Sequence, residues 1–282
     1  MKFDIHQVVN QTNSTAIDIL VESTDLSKSR LKMAMNKGAV WFTRSGKTQR
    51  LRRVNKALKS GDEIHLYYDE AVLSKETDKA ILIADEGQYS VWFKPYGMLS
   101  QGSKWGDHCA INRWVEKNLK PQRPAFVVHR LDRAASGLMI IAHAKQSAAY
   151  FSQLFQTRDI EKCYQAIVRG HFPECQVFDS DIEGRAAKTL ARCLNYQPEI
   201  DCSLLDVSIE TGRKHQIRRH LAEGGYPIVG DRMYGLDDIN NSQDLCLMAY
   251  YLGFVSPISK QHVLYELPEE FTSAFESRLL NE

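Results

Sequence analysis

In the stretch HRLDRAASG (129–137) one carboxylate, Asp132, stands between Arg130 and Arg133, with His129 ahead of it and Ser136-Gly137 behind. Cationic neighbours favour the charged form of a carboxylate. An ionised carboxylate can attack a sugar or base carbon and form a covalent intermediate, as in glycosyl chemistry. It can equally be half of a structural ion pair, and the short motif leaves both readings open. A second concentration of ionisable groups is TGRKHQIRRH (211–220), where Arg213, Lys214, His215, Arg218 and Arg219 crowd an expected helix start that holds no acid. His215, Arg218 and Arg219 lie three and four apart, which puts them on one helix face. A solvated face is the plain reading. A helix N-terminus already favours anions, however, so cations gathered there call for a phosphate or a buried carboxylate. Tyr164 belongs to CYQAIVRG (163–170), whose alternation places it with Ala166 and Val168 on one strand face. That ring is either core or a platform on which an unpaired base can stack. His129 and His215 read as structural hydrogen-bonding residues. No Gly-rich phosphate loop, zinc-ligand spacing or Ser-His-Asp pattern stands out.

These residues need elements to position them. AFVVHRL and GLMIIAHA read as two apolar strands, so Asp132 sits on the loop between them. QYSVWFKP (88–95) is a strand ending at Pro95, and a helix follows from Ser147 to Arg158, with Ala148, Phe151 and Phe155 at helical spacing. SLLDVSIE (203–210) alternates like a strand; a turn at Thr211-Gly212 leads into the helix RKHQIRRHLAE, closed by Gly224-Gly225. Strands and helices interleave without a repeated βαβ rhythm, which indicates an α+β fold. Nearer the N-terminus, Ser27 can cap a helix through KSRLKMAMNKG with Leu31, Ala34 and Met35 on one face and Gly38 at its end. AVWF, the turn SGK and DEIHLYY (62–68) complete a small α/β module. The polar stretch 69–80 reads as a linker, dividing the chain at 1–75 and 76–282.

Charge separates the two parts. The 282 residues carry a net charge of +1, yet the segment from Lys28 to Lys59 holds eleven Lys or Arg and no acid, leaving about −10 elsewhere. Lysine and arginine displace counterions from phosphates, so nucleic acid is the expected partner of that segment. Lys28, Arg30, Lys32, Arg52 and Arg53 are its candidate contacts. The six cysteines have no Cys-x-x-Cys spacing, which implies neither a structural metal nor disulfides and points to a reducing cytoplasm. The N-terminal stretch lacks the apolar core of a signal peptide, and runs such as GLMIIA are too short to span a bilayer.

Taken together, the motifs resemble the RluA family of pseudouridine synthases. HRLDRAASG resembles its HRLD-x-x-(T/S)SG loop, and EKCYQAIVRG (161–170) its K-x-Y-x-A-x-V-x-G strand. TGRKHQIRRHLAEGGYPIVGDRMYG (211–235) resembles its TGR-x-HQIR segment with the following G-x-P-I-x-GD-x-x-YG. KPYGM (94–98) matches the entry to the domain, and AYYLGFVSPISKQHVLYELPEEF its closing region. The resemblance runs in order over about 81–282, and the basic module resembles the S-four-like RNA-binding domain often fused ahead of it. Three places depart from the pattern: Ala134-Ala135 where Asp-Thr is common, Met248 in place of a histidine, and WFTRSGKTQRLRR in place of a short turn.

The resemblance implies a mixed, largely antiparallel central sheet with flanking helices. It implies isomerisation of uridine to pseudouridine in structured RNA, ribosomal RNA before transfer RNA, by a monomer using no metal and no organic cofactor. By the same resemblance Asp132 is the catalytic aspartate. Tyr164 is the ring that stacks on the target uracil and is placed for proton removal, and Arg218 is the partner of the aspartate. Arg130 is associated with the vacated base position. Apart from the resemblance, Arg213, Lys214 and His215 of the cationic cluster are candidate RNA contacts. Two other classes stay open: an RNA-binding protein without activity, and a nucleosidase or glycosidase hydrolysing through Asp132, which usually needs a second paired carboxylate.

Overall fold

The computed structural model describes residues 1–10, 14–235 and 243–279. Contacts divide the chain into two units, Met1–Thr77 with Gln101–Asn118, and Asp78–Ser100 with Leu119–Glu282. The segment 101–118, assigned by the sequence reading to the second part, thus clusters with the first.

The first unit is a four-stranded antiparallel sheet in the order β1-β4-β2-β3, built from β1 (Lys2–Val8), β2 (Val40–Arg44), β3 (Lys47–Arg50) and β4 (Glu63–Asp69). Helices α1 (Ala16–Glu22) and α2 (Lys28–Asn36) accompany it. The Ser27 side chain accepts from the Arg30 N–H at the start of α2, satisfying one of the donors a helix N-terminus leaves unpaired. Leu31, Ala34 and Met35 are buried, with Ile17, Leu20, Phe42, Ile64 and Leu66, in one apolar cluster. The turn between β2 and β3 uses Ser45 and Gly46, both at positive φ, as a tight hairpin demands. The expected linker is partly helical: Asp69 caps the short helix α3 (Glu70–Leu73) through the Val72 N–H. Helix α4 (Ile111–Asn118) completes the unit. Its preceding turn is tied in by Asp107, whose carboxylate pairs with Arg50 at 3.1 Å and Arg52 at 2.5 Å.

The second unit is the expected α+β architecture around a ten-stranded sheet. Its strands are β5 (Ile81–Asp85), β6 (Tyr89–Lys94), β7 (Phe126–Val127), β8 (Ser136–Ala142), β9 (Ile160–Arg169), β10 (Cys175–Phe178), β11 (Thr189–Gln197), β12 (Cys202–Ile209), β13 (Leu247–Val255) and β14 (His262–Glu266). Eight run in the order β10-β11-β12-β9-β13-β8-β6-β5, with β14 on β13 and β7 on β8. Every pairing is antiparallel except β13 with β8. Helices α5 (Lys145–Thr157), α6 (Gln216–Glu223) and α7 (Glu269–Glu276) flank it. Met248 is buried in the core cluster with Leu138, Ile140 and Phe254.

Two expected elements are shorter in the structure. The strand AFVVHRL reduces to Phe126–Val127, because the Ile140 N–H on β8 donates to the His129 ring at 2.9 Å rather than to a strand carbonyl. Helix α6 begins at Gln216, since His215 sits at its N-cap in the left-handed region, φ 55°. Arg213 and Lys214 therefore precede the helix, and of the expected cationic face only Arg218 and Arg219 lie on it.

Candidate active site

Asp132 lies on the coil between β7 and β8, and that coil is fastened from several sides. The Ser100 hydroxyl donates to the Leu131 carbonyl at 2.6 Å and accepts from the Leu131 N–H at 3.0 Å. The Gly97 N–H donates to the Arg133 carbonyl at 2.8 Å, and the Ala135 N–H turns back onto the Asp132 carbonyl at 3.1 Å. Lys94 is fully buried at the end of β6, and its ammonium donates to the carbonyls of Pro95, Met98 and Ala135 at 3.0, 3.0 and 2.5 Å. Burial pushes the Lys94 ammonium down to about 7, while the negative charge of Asp132 pulls it upward. Gly137 closes the coil where β8 meets β13. A Cβ there would stand 2.2 Å from the Ala249 carbonyl oxygen, and its φ of +120° suits only glycine. The SG of the motif is therefore a steric requirement of the one parallel contact in the sheet.

The side chain of Asp132 finds its cation far along the chain. Arg218 Nη1 donates to Oδ2 at 3.1 Å, and His215 Nε2 stands 3.7 Å from Oδ1. Arg130 and Arg133, its neighbours in sequence, are exposed and form no ion pair with it among the described residues. The same guanidinium makes a two-pronged contact with Asp231, Nε and Nη2 each donating at 2.7 Å. Asp231 also accepts from the N–H groups of Met233 and Tyr234 at 2.9 and 3.1 Å. Arg218 is 5% and Asp231 2% exposed, so this is the buried carboxylate that the cationic cluster called for. Burial pushes the Asp231 carboxyl up, but the guanidinium and the two N–H donors pull it net below the usual carboxylate range. Gly230 makes the approach possible, with φ +77° and no room for a Cβ against the Asp244 carbonyl. The GD pair does not by itself reveal Asp231 as the partner of Arg218, which lies thirteen positions earlier across a helix end.

Helix α6 is aimed by a second buried network. The Gln216 carboxamide accepts from the Thr211 hydroxyl at 2.6 Å and the Arg213 N–H at 3.1 Å, and donates to the Lys188 carbonyl and the Thr189 hydroxyl, each at 3.0 Å. His220 joins it through Thr189 at 2.9 Å. His215 Nδ1 meets the Tyr234 hydroxyl at 3.0 Å, and burial lowers the His215 imidazolium against the opposing pull of Asp132.

Asp132, Tyr164 and Arg218 line one open cleft of about 100 Å³, together with Arg130, Arg213 and His215. Tyr164 lies on β9, paired with Val207 of β12 and Ala249 of β13. Burial, and then the charge of Asp132, raises its phenol above the ordinary range, so the hydroxyl stays protonated. The floor beside it is apolar, with Leu131, Ala135 and Leu247. Lys214 is exposed outside the lining, and Arg219 turns toward Glu183 at 3.7 Å. His129 is a structural residue, stacked on Phe155 at 4.5 Å, its imidazolium pushed down to about 3 by burial and by Lys162.

Of the expected RNA contacts in the first unit, Lys32 and Arg53 are exposed. Lys28 lies 3.8 Å from Asp18 and Arg30 3.7 Å from Glu70, both pairs at the surface. Arg52 is committed to Asp107 and the Asn36 carbonyl, so it serves the framework of its own unit.

Residues 88–223 match the family described as RNA pseudouridylate synthase. A protein of Aquifex aeolicus named an uncharacterized RNA pseudouridine synthase is 28% identical over 286 aligned residues, covering 89% of each chain. The tRNA pseudouridine synthase C of Vibrio cholerae is 33% identical over 204, covering 60% of this chain and 82% of its own. The ribosomal large subunit pseudouridine synthase D of Zymomonas mobilis is 30% identical over 182, covering 55% and 56%. The structure of human RNA pseudouridylate synthase domain containing 1 shares the fold, with a TM-score of 0.60 at 21% identity over 70% of this chain and 86% of that one. The chain belongs to the RNA pseudouridylate synthase family, of the RluA type. It is an isomerase acting on RNA.

Proposed function

We propose that this synthase isomerises a uridine of ribosomal RNA, with Asp132 as the reacting carboxylate. The observation that carries the reading is the 3.1 Å contact between Asp132 and Arg218 at the edge of a cleft that Tyr164 shares. The glycosidic bond from carbon 1′ to N1 breaks, the uracil turns, and carbon 1′ bonds carbon 5. Carbon 5 then loses a proton and N1 gains one. Nothing is oxidised or hydrolysed overall, so the chain's own groups suffice without metal or organic cofactor. A base inside a stacked helix is out of reach and has to be everted. Tyr164 would receive it by stacking. Its protonated hydroxyl favours that role and hydrogen-bond donation over proton removal. Arg130, exposed on the rim, would occupy the gap in the RNA, and Arg213, Lys214 and His215 would meet neighbouring phosphates. Asp132 would act at the ribose as nucleophile or base.

The first unit would serve as an S-four-like RNA-binding module, with Lys28, Arg30, Lys32 and Arg53 supplying position and affinity more than sequence choice. The chain would work as a monomer in the cytoplasm. Transfer RNA is the second reading, favoured by the likeness to tRNA pseudouridine synthase C. The basic module of the present chain supports the larger RNA. Unmodified ribosomal and transfer RNA transcripts tritiated at uracil carbon 5 separate the two: release from the ribosomal transcript alone is expected. Release from transfer RNA alone would reverse the choice, and liberated uracil would mark hydrolysis instead.

A further inference from the structure

A cavity of about 630 Å³ is lined by residues of the first unit alone. Its floor is apolar. Phe3 and Ile5 come from β1, whose register sets them opposite Tyr68 and Leu66 on the core side of the sheet. Both are only partly buried. Leu26 contributes from the α1–α2 connection. The Phe3 ring is stacked on Tyr68 at 5.3 Å, which fixes its plane. The rim is polar, with Ser23, Thr24 and Asp25 on one connection and Arg30 on α2. Arg30 is exposed and pairs with Glu70 at 3.7 Å, and Asp25 is exposed. The helix that borders the groove opens the stretch of eleven cations without an acid.

A fixed aromatic ring on an apolar floor, an exposed carboxylate and an exposed guanidinium beside a basic helix match one chemical class, a nucleotide in single-stranded form. We infer that this groove takes one unpaired nucleotide of the RNA substrate, its base against Phe3 and Ile5 and its phosphate at Arg30. The Asp25 carboxylate accepts from an exocyclic amino group, which favours guanine, cytosine or adenine over uracil. The occupant is RNA because the enzyme acts on RNA and because α2, which borders the groove, carries the exposed cations Lys28, Arg30 and Lys32. The inference rests on the first unit being an RNA-binding module, and it assigns that module a role in choosing sequence as well as in supplying affinity.

The test uses the full chain and unmodified ribosomal and transfer RNA transcripts, with binding read by fluorescence anisotropy in the Asp132→Asn background so that chemistry does not intervene. Phe3→Leu keeps an apolar floor and removes the stacking face; the Kd is expected to rise about tenfold. Arg30→Gln is expected to lower the slope of log Kd against log salt by about one. Photolysis of 6-thioguanosine-substituted transcript is expected to attach RNA to Phe3, Ile5 or Leu26. If Phe3→Leu melts early, Arg30→Gln and the crosslink carry the test. Unchanged affinity and salt slope in both variants, or crosslinks confined to other segments, overturn the inference. Tritium release by the wild type is scored separately. Release that persists beside unaltered binding removes the groove and leaves the synthase reading standing. Absent release beside a Phe3-dependent affinity removes the target and keeps the groove.

Discussion

Arg218 joins two carboxylates of different kind. Asp231 is buried and takes the guanidinium fork in two contacts of 2.7 Å, while Asp132 receives one contact at the open side of the cleft. The buried aspartate therefore fixes where the guanidinium can stand, and the guanidinium fixes Asp132. Arg218→Ala leaves Asp231 charged and unpaired, so unfolding in urea should show a loss of about 3–5 kcal/mol together with lost turnover. Arg218→Lys keeps the charge and loses the planar fork, so the fold should survive while tritium release falls steeply. Equal turnover in the lysine variant would show that position is not what the guanidinium supplies. His129 gives a pH signature. Its folded value of about 3 lies below the ordinary 6.5, so the unfolded chain binds more protons between those values. Its contribution to stability is complete above pH 6.5 and is lost as pH falls toward 3. Between pH 6.5 and 5 the loss should be about 2 kcal/mol. Denaturation midpoints at the two pH values check it, and His129→Gln should flatten the difference.

At the scale of elements, the coil carrying Asp132 is held by groups that sequence separates widely. Lys94 ends β6, and its three carbonyl acceptors include Ala135 of the coil itself. Lys94→Met fills the volume and leaves three buried carbonyls without a donor. Tritium release should show kcat falling by more than KM changes, because the coil loses its anchor while the RNA surface is untouched. This arrangement also explains what could be read from sequence. Asp132, Tyr164 and Arg218 stand out in the sequence because each lies inside a long local motif, and the structure brings the three to one cleft. Asp231 was not legible as the partner of Arg218, because its role depends on a turn after α6 and on Gly230 allowing a close backbone approach. The strand AFVVHRL looked continuous because apolar periodicity does not reveal that a histidine ring takes the next ladder N–H. The helix start was misplaced because favourable propensity from Arg213 onward competes with the Gln216 carboxamide, which holds the preceding backbone out of helical form.

For the whole molecule, the division into units was legible in charge but not in its boundaries. Residues 101–118 have ordinary composition, and only the structure shows that Asp107 answers Arg50 and Arg52 of the basic segment. His108 and Cys109 likewise contact the Lys75 carbonyl, at 3.0 and 3.3 Å. Two of the eleven cations thereby share one carboxylate within their own unit. Removing residues 1–77 by itself strips the partners from 101–118. The shortened chain should melt earlier and aggregate, and a chain that melts like wild type would show that the segment needs no cover. Neutralising Lys32 and Arg53, which remain exposed, should instead leave the melting temperature unchanged and reduce the salt slope of RNA binding by about one for each. Unaltered slopes would place the phosphate contacts elsewhere.

The most direct measurement compares wild type with Asp132→Asn in single-turnover release of tritium from uracil carbon 5 of the ribosomal transcript, with RNA affinity measured in parallel. Release by the wild type and none by the variant, at equal affinity, is expected if the carboxylate held by Arg218 is the reacting group. Release by the variant at the wild-type rate would contradict it.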